Sequence, residues 1–259
     1  MKITVVTVCR NCENSIAENL KSVAAQTFDD YEHLIVDGAS TDATIKIVKE
    51  FENPKIRLIS EPDNGIYDAM NKGVKNAKGE YIIFLNADDK FADENVLKRA
   101  AEKMNTKKDL YYGDLTFFDV EKNTYNTRKQ DNVNFVYICG GMLFHPTIFA
   151  AKKLFERAGL FDTSYRIVAD YEWILRVLTK FGATLEYLGF TTTIFTQGTG
   201  ASTTPENKEK HKAERKKVQT LYFSKIQSTI CNFWYKSMRS TLKIAPVKYL
   251  LQKSFFKNR

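Results

Sequence analysis

Two hydrophobic patterns alternate along the first hundred residues. Four short runs of apolar, mostly β-branched residues predict strands, at positions 3–8, 33–36, 56–59 and 81–85. Between these runs, apolar residues recur at helical spacing, as in Ile16/Leu20/Val23, Ile45/Val48/Phe51 and Ala69/Val74/Ala77. Strands that alternate with helices build βαβ units, so this part of the chain predicts an α/β fold with a mainly parallel central sheet.

The pattern changes in the second hundred residues. Between 109 and 144, apolar residues such as Phe135 and Ile138 stand among polar residues and turns, which predicts strands of a mixed or antiparallel layer. Helical spacing predicts three further helices, at 91–104, 148–155 and 167–178. A strand predicted at 184–190 leads into a polar stretch, 197–204, that has few packing residues and predicts a loop.

The charge of the chain is concentrated at its end. Residues 206–259 hold fourteen Lys and Arg against three Glu, a balance of +11 that leaves −3 for residues 1–205 out of a net charge of +8. We therefore predict an α/β domain over 1–205 and a basic, amphipathic helical extension over 206–259, interrupted by Pro246. The apolar residues of the extension are Val218, Leu221, Tyr222, Ile226, Ile230, Phe233, Trp234, Leu250, Leu251, Phe255 and Phe256.

The remaining composition is that of an ordinary globular chain. With 259 residues, 43% hydrophobic and 27% charged, the length suits one large α/β domain with an appendage. Four cysteines are too few for a disulfide scaffold, and Arg10 follows the amino-terminal apolar run at once, so that run predicts a strand and not a signal peptide. No stretch has the roughly eighteen apolar residues of a membrane-spanning helix. These features predict a reducing, cytoplasmic location.

Polar residues follow three of the predicted strands at their carboxyl ends. They occupy positions 9–11, 37–42 and 86–89. In an open α/β sheet, ligands bind beyond the carboxyl ends of the strands. An Asp-rich turn after an apolar strand suits Mg²⁺ or Mn²⁺ bound together with a diphosphate, because these cations prefer oxygen ligands. The alternative is that the Asp pair at 88–89 merely caps the next helix, as Asp93 could also do.

Four segments, taken together and in this order, resemble the family 2 glycosyltransferases of the GT-A fold, especially bacterial enzymes that build surface polysaccharides. The segments lie at 7–11, 36–42, 61–73 and 84–89. The resemblance implies inverting transfer of a sugar from a nucleotide-diphosphate donor, expected to be a UDP-sugar, to a hydroxyl of a glycan or lipid-linked glycan. It also implies that residues 1–105 bind the nucleotide-sugar and that 106–205 form the acceptor half.

The resemblance assigns donor-side roles to individual residues. Asp37 would contact the base of the nucleotide, with Thr7 and Arg10 lining the same pocket. Lys72, in an Asn-Lys-Gly run, would lie near the nucleotide or its diphosphate. Considered alone, Asp37 is equally well a turn former before Gly38, and Lys72 a solvated helix charge.

The family's Asp-x-Asp motif falls on Asn86, Ala87 and Asp88. The resemblance implies that Asp88 binds Mn²⁺ or Mg²⁺ and that all three residues border the nucleotide-sugar. Asn86 stands where the family has an acidic residue, which weakens the expectation that this position contacts the metal or the ribose. The cofactor expected from the resemblance is therefore one divalent cation held mainly by Asp88.

Two residues of the second half are candidates for the reaction itself. Residues 162–173 resemble the segment that carries the family's catalytic base, and Asp170 matches that position, with Ala169 where many members have an acidic residue. One base suffices for direct displacement, which inverts the anomeric centre. His145 resembles a recurrent His that would contact the acceptor or the diphosphate. The alternatives are a helix N-terminal acid for Asp170 and a structural capping residue for His145.

Other functions fit fewer of these features. Nucleotidyl transfer usually needs a Gly-rich phosphate loop after the first strand, which is absent here. A non-catalytic nucleotide-sugar-binding protein would have no need for Asp88 and Asp170. Cys9 and Cys12 flank a strand-to-helix turn, as in a thioredoxin-like redox pair, but that function leaves the Asp clusters unexplained.

Two partners and one alternative without a partner can be considered for the basic extension. Nucleic acid is possible on charge alone, but it is not expected, because aromatic and aliphatic residues are mixed with the Lys and Arg. That mixture favours an anionic membrane surface, with the enzyme at the inner face of the cell membrane. The alternative is that the helix packs on the enzyme body and exposes its other face to solvent. His211 is expected to be a solvated surface residue of this helix.

Overall fold

A computed structural model describes residues 1–197 and 205–239. The strands are β1 Ile3–Cys9, β2 Tyr31–Asp37, β3 Ile56–Ser60, β4 Tyr81–Phe84, β5 Lys90–Phe91, β6 Leu110–Asp119, β7 Thr124–Arg128, β8 Ile148–Ala151 and β9 Leu185–Gln197. The helices are α1 Ile16–Ala24, α2 Thr44–Glu50, α3 Ile66–Asn76, α4 Val96–Lys103, α5 Phe135–Gly140, α6 Lys152–Ala158, α7 Ala169–Thr179, α8 Pro205–Tyr222 and α9 Lys225–Arg239. Two 3₁₀ turns lie at Met104–Thr106 and His145–Thr147.

All these strands belong to one sheet, in the order β3-β2-β1-β4-β8-β6-β9-β5, with β7 paired to β6. The four strands β3, β2, β1 and β4 are parallel, as the alternating pattern predicts. Strand β8 is antiparallel to β4 and β6, whereas β6 and β9 are parallel. The α/β class is therefore confirmed, with a parallel amino-terminal half and a mixed second half.

The two largest of the three hydrophobic clusters in the described residues lie on opposite faces of the sheet. Alternate residues of one strand face opposite sides, so Val6 packs in the larger core and Val5 in the smaller one. Helices α3, α6 and α7 cover the larger core, and α4 covers the smaller one. Val218 of α8 has no exposed surface and belongs to the larger core, so this helix of the basic extension packs on the body.

Two stretches fold differently from their sequence pattern. The helix predicted at 148–155 is strand β8 followed by α6, because the apolar run Ile148–Ala151 is buried between β4 and β6, where its backbone completes the sheet. The strand expected around Phe135 is helix α5, which begins where the Asn134 side chain accepts a hydrogen bond from the Tyr137 N–H at 3.0 Å. Short apolar runs suit either structure, and here the neighbours decide.

Candidate active site

The predicted site residues gather along one edge of the sheet. Cys9 lies opposite Asp37 in the β1–β2 register, so the carboxyl ends of these strands are level. Ile83 pairs with Phe149, and the antiparallel direction of β8 brings the turn containing His145 towards the carboxyl end of β4. Helix α3 begins at the same edge because it follows the parallel strand β3. This edge therefore collects side chains that are distant in the sequence.

Asp37 is the last residue of β2, and its carboxylate is held by its own surroundings. The side chain is fully buried and accepts hydrogen bonds from the Ser60 hydroxyl at 2.7 Å, from the Ser40 N–H at 3.0 Å and from the Ser40 hydroxyl. The carboxylate is thus fixed at the end of the strand before any ligand binds. Its contact with a nucleotide base stays a prediction.

Close packing brings a second loop onto the end of β2. A Cβ added at Gly38 would lie 2.2 Å from Asp63 Oδ2 and 3.4 Å from Arg10 Cδ, so only glycine fits this position without a shift. Gly65 has a φ of 118°, a conformation that glycine adopts readily. Asp63 and the exposed Arg10 therefore both approach Gly38, and the contact of Arg10 with a nucleotide stays a prediction.

Thr7 does not line a pocket. Its side chain has no exposed surface, and its hydroxyl lies 2.8 Å from the Leu85 carbonyl oxygen and 2.9 Å from His33 Nε2. We expected the Thr7 side chain to contact the nucleotide, but its burial leaves no surface for that contact. Because β1 is covered on both faces, the side chain supports neighbouring elements from inside the sheet layer.

Lys72 is engaged with the loop before α3. Its ammonium group donates to the Pro62 carbonyl at 2.6 Å and lies 2.9 Å from Glu61 Oε1. The hydrogen bond to Glu61 is the main cause that raises the pKa of Lys72 above its ordinary value. In this arrangement Lys72 fixes the segment beside Asp63, and its approach to a diphosphate stays a prediction.

The turn after β4 is shaped by an asparagine from α1. Asn19 Nδ2 donates to the carbonyl oxygens of Asn86, at 2.9 Å, and Asp89, at 3.0 Å. Ala87 is buried within the turn, whereas Asp88 is partly exposed. Burial, together with the charge of Asp88, raises the pKa of Asp89 well above its usual range. Because Asp89 is buried, Asp88 is the carboxylate that this turn exposes.

A divalent cation would find few protein ligands at this turn. Across residues 1–197 and 205–239, no group of three or more His, Cys, Asp and Glu side chains is arranged to hold a metal ion. Asn86 Oδ1 is buried and has no hydrogen-bond partner within those residues. Asp88 and Asn86, with the oxygens of a diphosphate, would give the oxygen-only set that Mn²⁺ and Mg²⁺ prefer. The residues fit such a cation if the ligand supplies most of its oxygens.

Asp170 lies in the first turn of α7, nearly buried and held from two sides. Its Oδ2 lies 3.1 Å from His145 Nδ1, and its Oδ1 lies 2.9 Å from the Tyr67 hydroxyl. Burial raises the pKa of Asp170, but the hydrogen bonds from His145 and Tyr67 outweigh it and bring the pKa below its ordinary value. The carboxylate is therefore charged at neutral pH.

His145 presents its second ring nitrogen away from Asp170. Because the charged carboxylate only accepts hydrogen bonds, His145 Nδ1 is the donor of this pair. Nε2 is buried and has no partner in the described part of the chain. The structure brings Asp170 and His145 into direct contact, and their roles in a reaction stay predictions.

Sequence reasoning missed four kinds of supporting residue. They are Tyr67 beside Asp170, Asn19 beneath the 86–89 turn, Ser40 and Ser60 around Asp37, and Glu214 on α8. Asn19 could have been found, because it is a polar residue on the apolar face formed by Ile16, Leu20 and Val23. Tyr67 belongs to α3, Ser60 ends β3, Ser40 lies in the turn after β2 and Glu214 lies on α8, and no local spacing marks any of them.

Cys9 and Cys12 are free thiols and lack the lowered pKa of a redox pair. Burial, followed by the charge of Asp37, raises the pKa of the Cys9 thiol, and burial also raises the pKa of the Cys12 thiol. A reactive pair needs a lowered thiol pKa. The structure therefore argues against the oxidoreductase alternative.

Helix α8 lies against the acceptor half of the site. Glu214 accepts hydrogen bonds from the N–H groups of Arg166, at 2.9 Å, and Ile167, at 3.0 Å. Arg215 stacks over the Tyr171 ring, 4.1 Å from its centroid. His211 is partly buried, contrary to the solvated position expected for it. The packed-helix option thus holds for α8.

Helix α9 carries exposed apolar side chains instead. Ile226, Ile230 and Phe233 are 72%, 41% and 65% exposed, and their spacing places them along one side of the helix. None of the helices in the described ranges is long and apolar enough to cross a bilayer. Part of the predicted loop, 198–204, and the expected apolar residues Leu250, Leu251, Phe255 and Phe256 lie outside the described residues.

Comparison with known proteins places these features in context. The model of the family described as "Glycosyl transferase family 2" matches residues 4–166. A PGL/p-HBAD biosynthesis glycosyltransferase of Mycobacterium bovis is 33% identical over 196 residues, which cover 73% of this chain and 75% of that protein. An uncharacterized glycosyltransferase of Mycobacterium tuberculosis is 30% identical over 179 residues, covering 67% of this chain and 68% of the relative.

Solved structures show the same architecture. Residues 1–349 of S. aureus TarS superpose with a TM-score of 0.68 at 20% sequence identity, covering 96% of this chain and 77% of that one. TarS 1–349 in complex with UDP-GlcNAc gives a TM-score of 0.67 at 20% identity, covering 86% of this chain and 71% of that one. A longer TarS chain is matched over only 37% of its length. At this level of identity the likeness establishes a shared fold.

Proposed function

This chain belongs to glycosyl transferase family 2, with the GT-A fold, and we propose that it moves a sugar from a UDP-sugar to a hydroxyl group with inversion of the anomeric centre. That the chain is a glycosyltransferase follows from its family; the donor, the acceptor and the stereochemistry are the proposal. The observation that supports it is the charged, buried Asp170, which contacts His145 in the turn before β8 and Tyr67 at the start of α3.

The donor side of the proposal uses the ends of β1, β2 and β4. A UDP-sugar is the donor best supported, because TarS, which shares the fold, was solved in complexes with UDP-GlcNAc and with UDP. In the proposal Asp37, pre-oriented by Ser40 and Ser60, meets the base, and Arg10 lies beside it. Lys72 acts by holding the Glu61–Pro62 segment and reaches the diphosphate only if that segment moves.

The leaving group of the proposed reaction is a nucleoside diphosphate. Asp88, with Asn86 and Ala87 in the same turn, would hold Mn²⁺ or Mg²⁺ beside it, and a bound cation supplies positive charge that offsets the charge of the departing diphosphate. The protein prepares this turn through Asn19, whose hydrogen bonds fix the backbone on both sides of Asp88.

The acceptor side depends on Asp170. As the acceptor oxygen forms its bond to the anomeric carbon, the bond from that carbon to the diphosphate breaks, and Asp170 takes the proton of the attacking hydroxyl. No second nucleophile is needed for this single displacement, so the configuration inverts. His145 Nε2, buried beside Asp170, is suited to contact the acceptor hydroxyl or the diphosphate.

Paired Asn variants separate binding from chemistry. We expect Asp170→Asn to lower turnover by at least ~100-fold while UDP with Mn²⁺ still raises the melting temperature. Asp88→Asn should lose the Mn²⁺-dependent part of that stabilisation. Asp29→Asn is the matched control, because Asp29 forms an exposed ion pair with Lys55 at the amino ends of β2 and β3, the sheet edge opposite this turn.

The assay is release of UDP from UDP-sugars in the presence of candidate acceptors, with the product's anomeric configuration read by NMR. Wild-type turnover in Asp170→Asn would remove Asp170 as the base, and a retained anomeric configuration would overturn the inverting mechanism. Absence of any stabilisation by UDP would argue against this donor class. Release of pyrophosphate from a nucleoside triphosphate would favour nucleotidyl transfer instead.

We also propose that α9 docks on an anionic membrane surface, which would place the enzyme at the inner face of the cell membrane near a lipid-linked acceptor. The support is the exposed apolar side formed by Ile226, Ile230 and Phe233 within a segment rich in Lys and Arg. Apolar burial and attraction to acidic headgroups then act together. No nucleic-acid contact is part of the proposal.

Vesicle sedimentation distinguishes this docking from other roles of the tail. Wild-type protein should bind vesicles containing phosphatidylglycerol more strongly than phosphatidylcholine vesicles, and Ile226→Gln/Phe233→Gln should weaken that binding. Thr220→Gln, an exposed position on α8, serves as control. Equal binding by the double variant, or preferential binding of RNA, would refute membrane docking.

A further inference from the structure

We propose that Tyr67 is a positioning residue for Asp170. The Tyr67 hydroxyl donates its hydrogen bond to the Asp170 carboxylate while Asp170 is charged, and to the Ile167 carbonyl when Asp170 is protonated. The proposal rests on the proposed role of Asp170 as the base. Nothing in the residue pattern around Tyr67 pointed to it, since its role arises from contacts across 103 positions of the chain.

The hydroxyl of Tyr67 lies between two acceptors. It is 2.9 Å from Asp170 Oδ1 and 2.8 Å from the Ile167 carbonyl oxygen. A tyrosine hydroxyl has one proton, so it fully satisfies only one of them at a time. Burial, together with the charge of Asp170, raises the pKa of Tyr67 well above its ordinary value, so the residue keeps that proton.

The two acceptors suit two stages of the proposed reaction. While Asp170 is charged, it is the stronger acceptor, because a hydrogen bond to a carboxylate is charge-assisted. When Asp170 receives the proton of the acceptor hydroxyl, its oxygens become weaker acceptors, and the Tyr67 proton turns to the Ile167 carbonyl. The tyrosine gives up no proton, and its buried hydroxyl stays hydrogen-bonded in both states.

Helix α8 holds the second acceptor in place. Both oxygens of the Glu214 carboxylate bind backbone N–H groups, one of Arg166 and one of Ile167. These bonds fix the segment just before α7, and with it the direction of the Ile167 carbonyl. Glu214 therefore acts on Asp170 only through Tyr67 and this backbone segment.

The charged and titratable groups around Asp170 come from three packed elements besides α7. Tyr67 belongs to α3, and His145 to the turn before β8. Helix α8 contributes His211 and Glu214, with Arg215 over the neighbouring Tyr171 ring. Of these groups, Tyr67 is the one that a Phe substitution removes without changing any charge.

Tyr67→Phe is the direct test. Loss of a donor to the charged form raises the pKa of Asp170, so the acid limb of the kcat profile should move up by about one pH unit. Asp170 stays charged at neutral pH, so the ~10-fold fall of kcat expected there comes from the carboxylate no longer being held in position. The KM for the donor should stay within about twofold, since Tyr67 does not touch it in the proposal. Tyr31→Phe is the matched control, because Tyr31 is a buried tyrosine that donates to the Val23 carbonyl at 2.8 Å in the other core.

An unchanged pH profile and kcat in Tyr67→Phe would overturn the proposal. The proposal would also be overturned if Tyr31→Phe and Tyr67→Phe lost the same amount of kcat for the same drop in melting temperature. Titration of ¹³C-labelled Asp carboxyl groups by NMR provides a readout that does not need turnover. If no UDP-sugar is used, the proposed donor fails, but a raised Asp170 pKa in Tyr67→Phe still supports the hydrogen-bond switch, and an unchanged one refutes it.

Glu214 is tested separately with Glu214→Ala. We expect kcat to fall several-fold with the donor KM unchanged, because the Ile167 carbonyl loses its fixed direction. Glu209→Ala, on the same helix but in an exposed ion pair with Lys212, should behave as wild type. A Glu214→Ala enzyme with lower melting temperature but wild-type kcat below that temperature would show that Glu214 serves stability alone.

Discussion

His33 and Thr7 form a buried polar pair whose hydrogen-bond roles can be deduced. The Thr7 hydroxyl has one proton, and its near neighbours Leu85 O, at 2.8 Å, and Asn19 Oδ1, at 3.2 Å, can only accept. His33 Nε2, at 2.9 Å, must therefore donate to Thr7. The other ring nitrogen, Nδ1, is buried and unpartnered within the described residues, and protonation there is opposed by burial, which lowers the pKa of His33 to about 3.

This pair predicts a specific pH dependence of stability. The unfolded chain binds a proton at His33 near pH 6.5, whereas the folded chain does so only near pH 3, so stability falls as the pH is lowered below about 6.5. The contribution of this one residue is about 1.4 kcal/mol per pH unit in that window. Urea unfolding at pH 7, 6 and 5 should show a shallower loss in His33→Gln than in wild type. Parallel slopes would contradict the predicted burial of neutral His33.

At the residue scale, the sequence singled out the charged residues of the candidate site but not their supports. Asp37 ends β2, Asp88 lies in the turn after β4 and Asp170 in the first turn of α7, and their roles in a reaction stay predictions. The Tyr67 hydroxyl donates to a backbone carbonyl 100 positions away in the sequence. The Glu214 carboxylate accepts from a backbone N–H 47 positions away. Such contacts depend on tertiary packing, so one sequence gives no local signal for them.

Helix α8 shows how a strongly basic segment can still belong to the core. Its inward side carries Val218 and Gln219, whose side-chain amide donates to the Cys139 carbonyl at 2.7 Å. Tyr222 reaches the Glu172 carboxylate on α7 from the same side. The lysines occupy the remaining surface, which explains why charge alone suggested an independent tail.

Substitutions on the two sides of α8 should therefore differ in effect. Val218→Asn puts an amide without a partner into the larger core and should lower the free energy of unfolding by about 2–4 kcal/mol. Thr220→Asn, two residues along on the exposed side, should change it by less than about 0.5 kcal/mol. Chemical denaturation of both variants measures the difference. Equal effects would mean that α8 is not packed as described.

At the element scale, repeated alternation predicted better than an isolated run. The parallel strands β1 to β4 follow from apolar runs that alternate with helical spacing, and α7 follows from its own helical spacing. Strand β8 was predicted as part of a helix because its four residues continue directly into α6, and its place between β4 and β6 can be known only from the assembled sheet.

For the whole molecule, the division into 1–205 and 206–259 stays a prediction, and α8 suggests where to test it. A chain that ends at residue 204 loses Val218, Phe223 and the Glu214 hydrogen bonds, all of which contact the body. We expect this chain to melt at least about 5 °C below one that ends at residue 224. Differential scanning fluorimetry compares the two, and equal melting temperatures would show that residues 1–204 are self-sufficient.

The hydrogen bonds between Glu214 and the backbone at Arg166 and Ile167 also set an order of events during synthesis of the chain. During synthesis, the segment that carries the proton acceptor is finished 47 positions before the carboxylate that secures it. A nascent chain whose residue 214 is still inside the ribosome can form its earlier strands but cannot complete its reaction centre. Activity should therefore arise late, when the helix near the end of the chain has emerged and folded back onto the domain that preceded it.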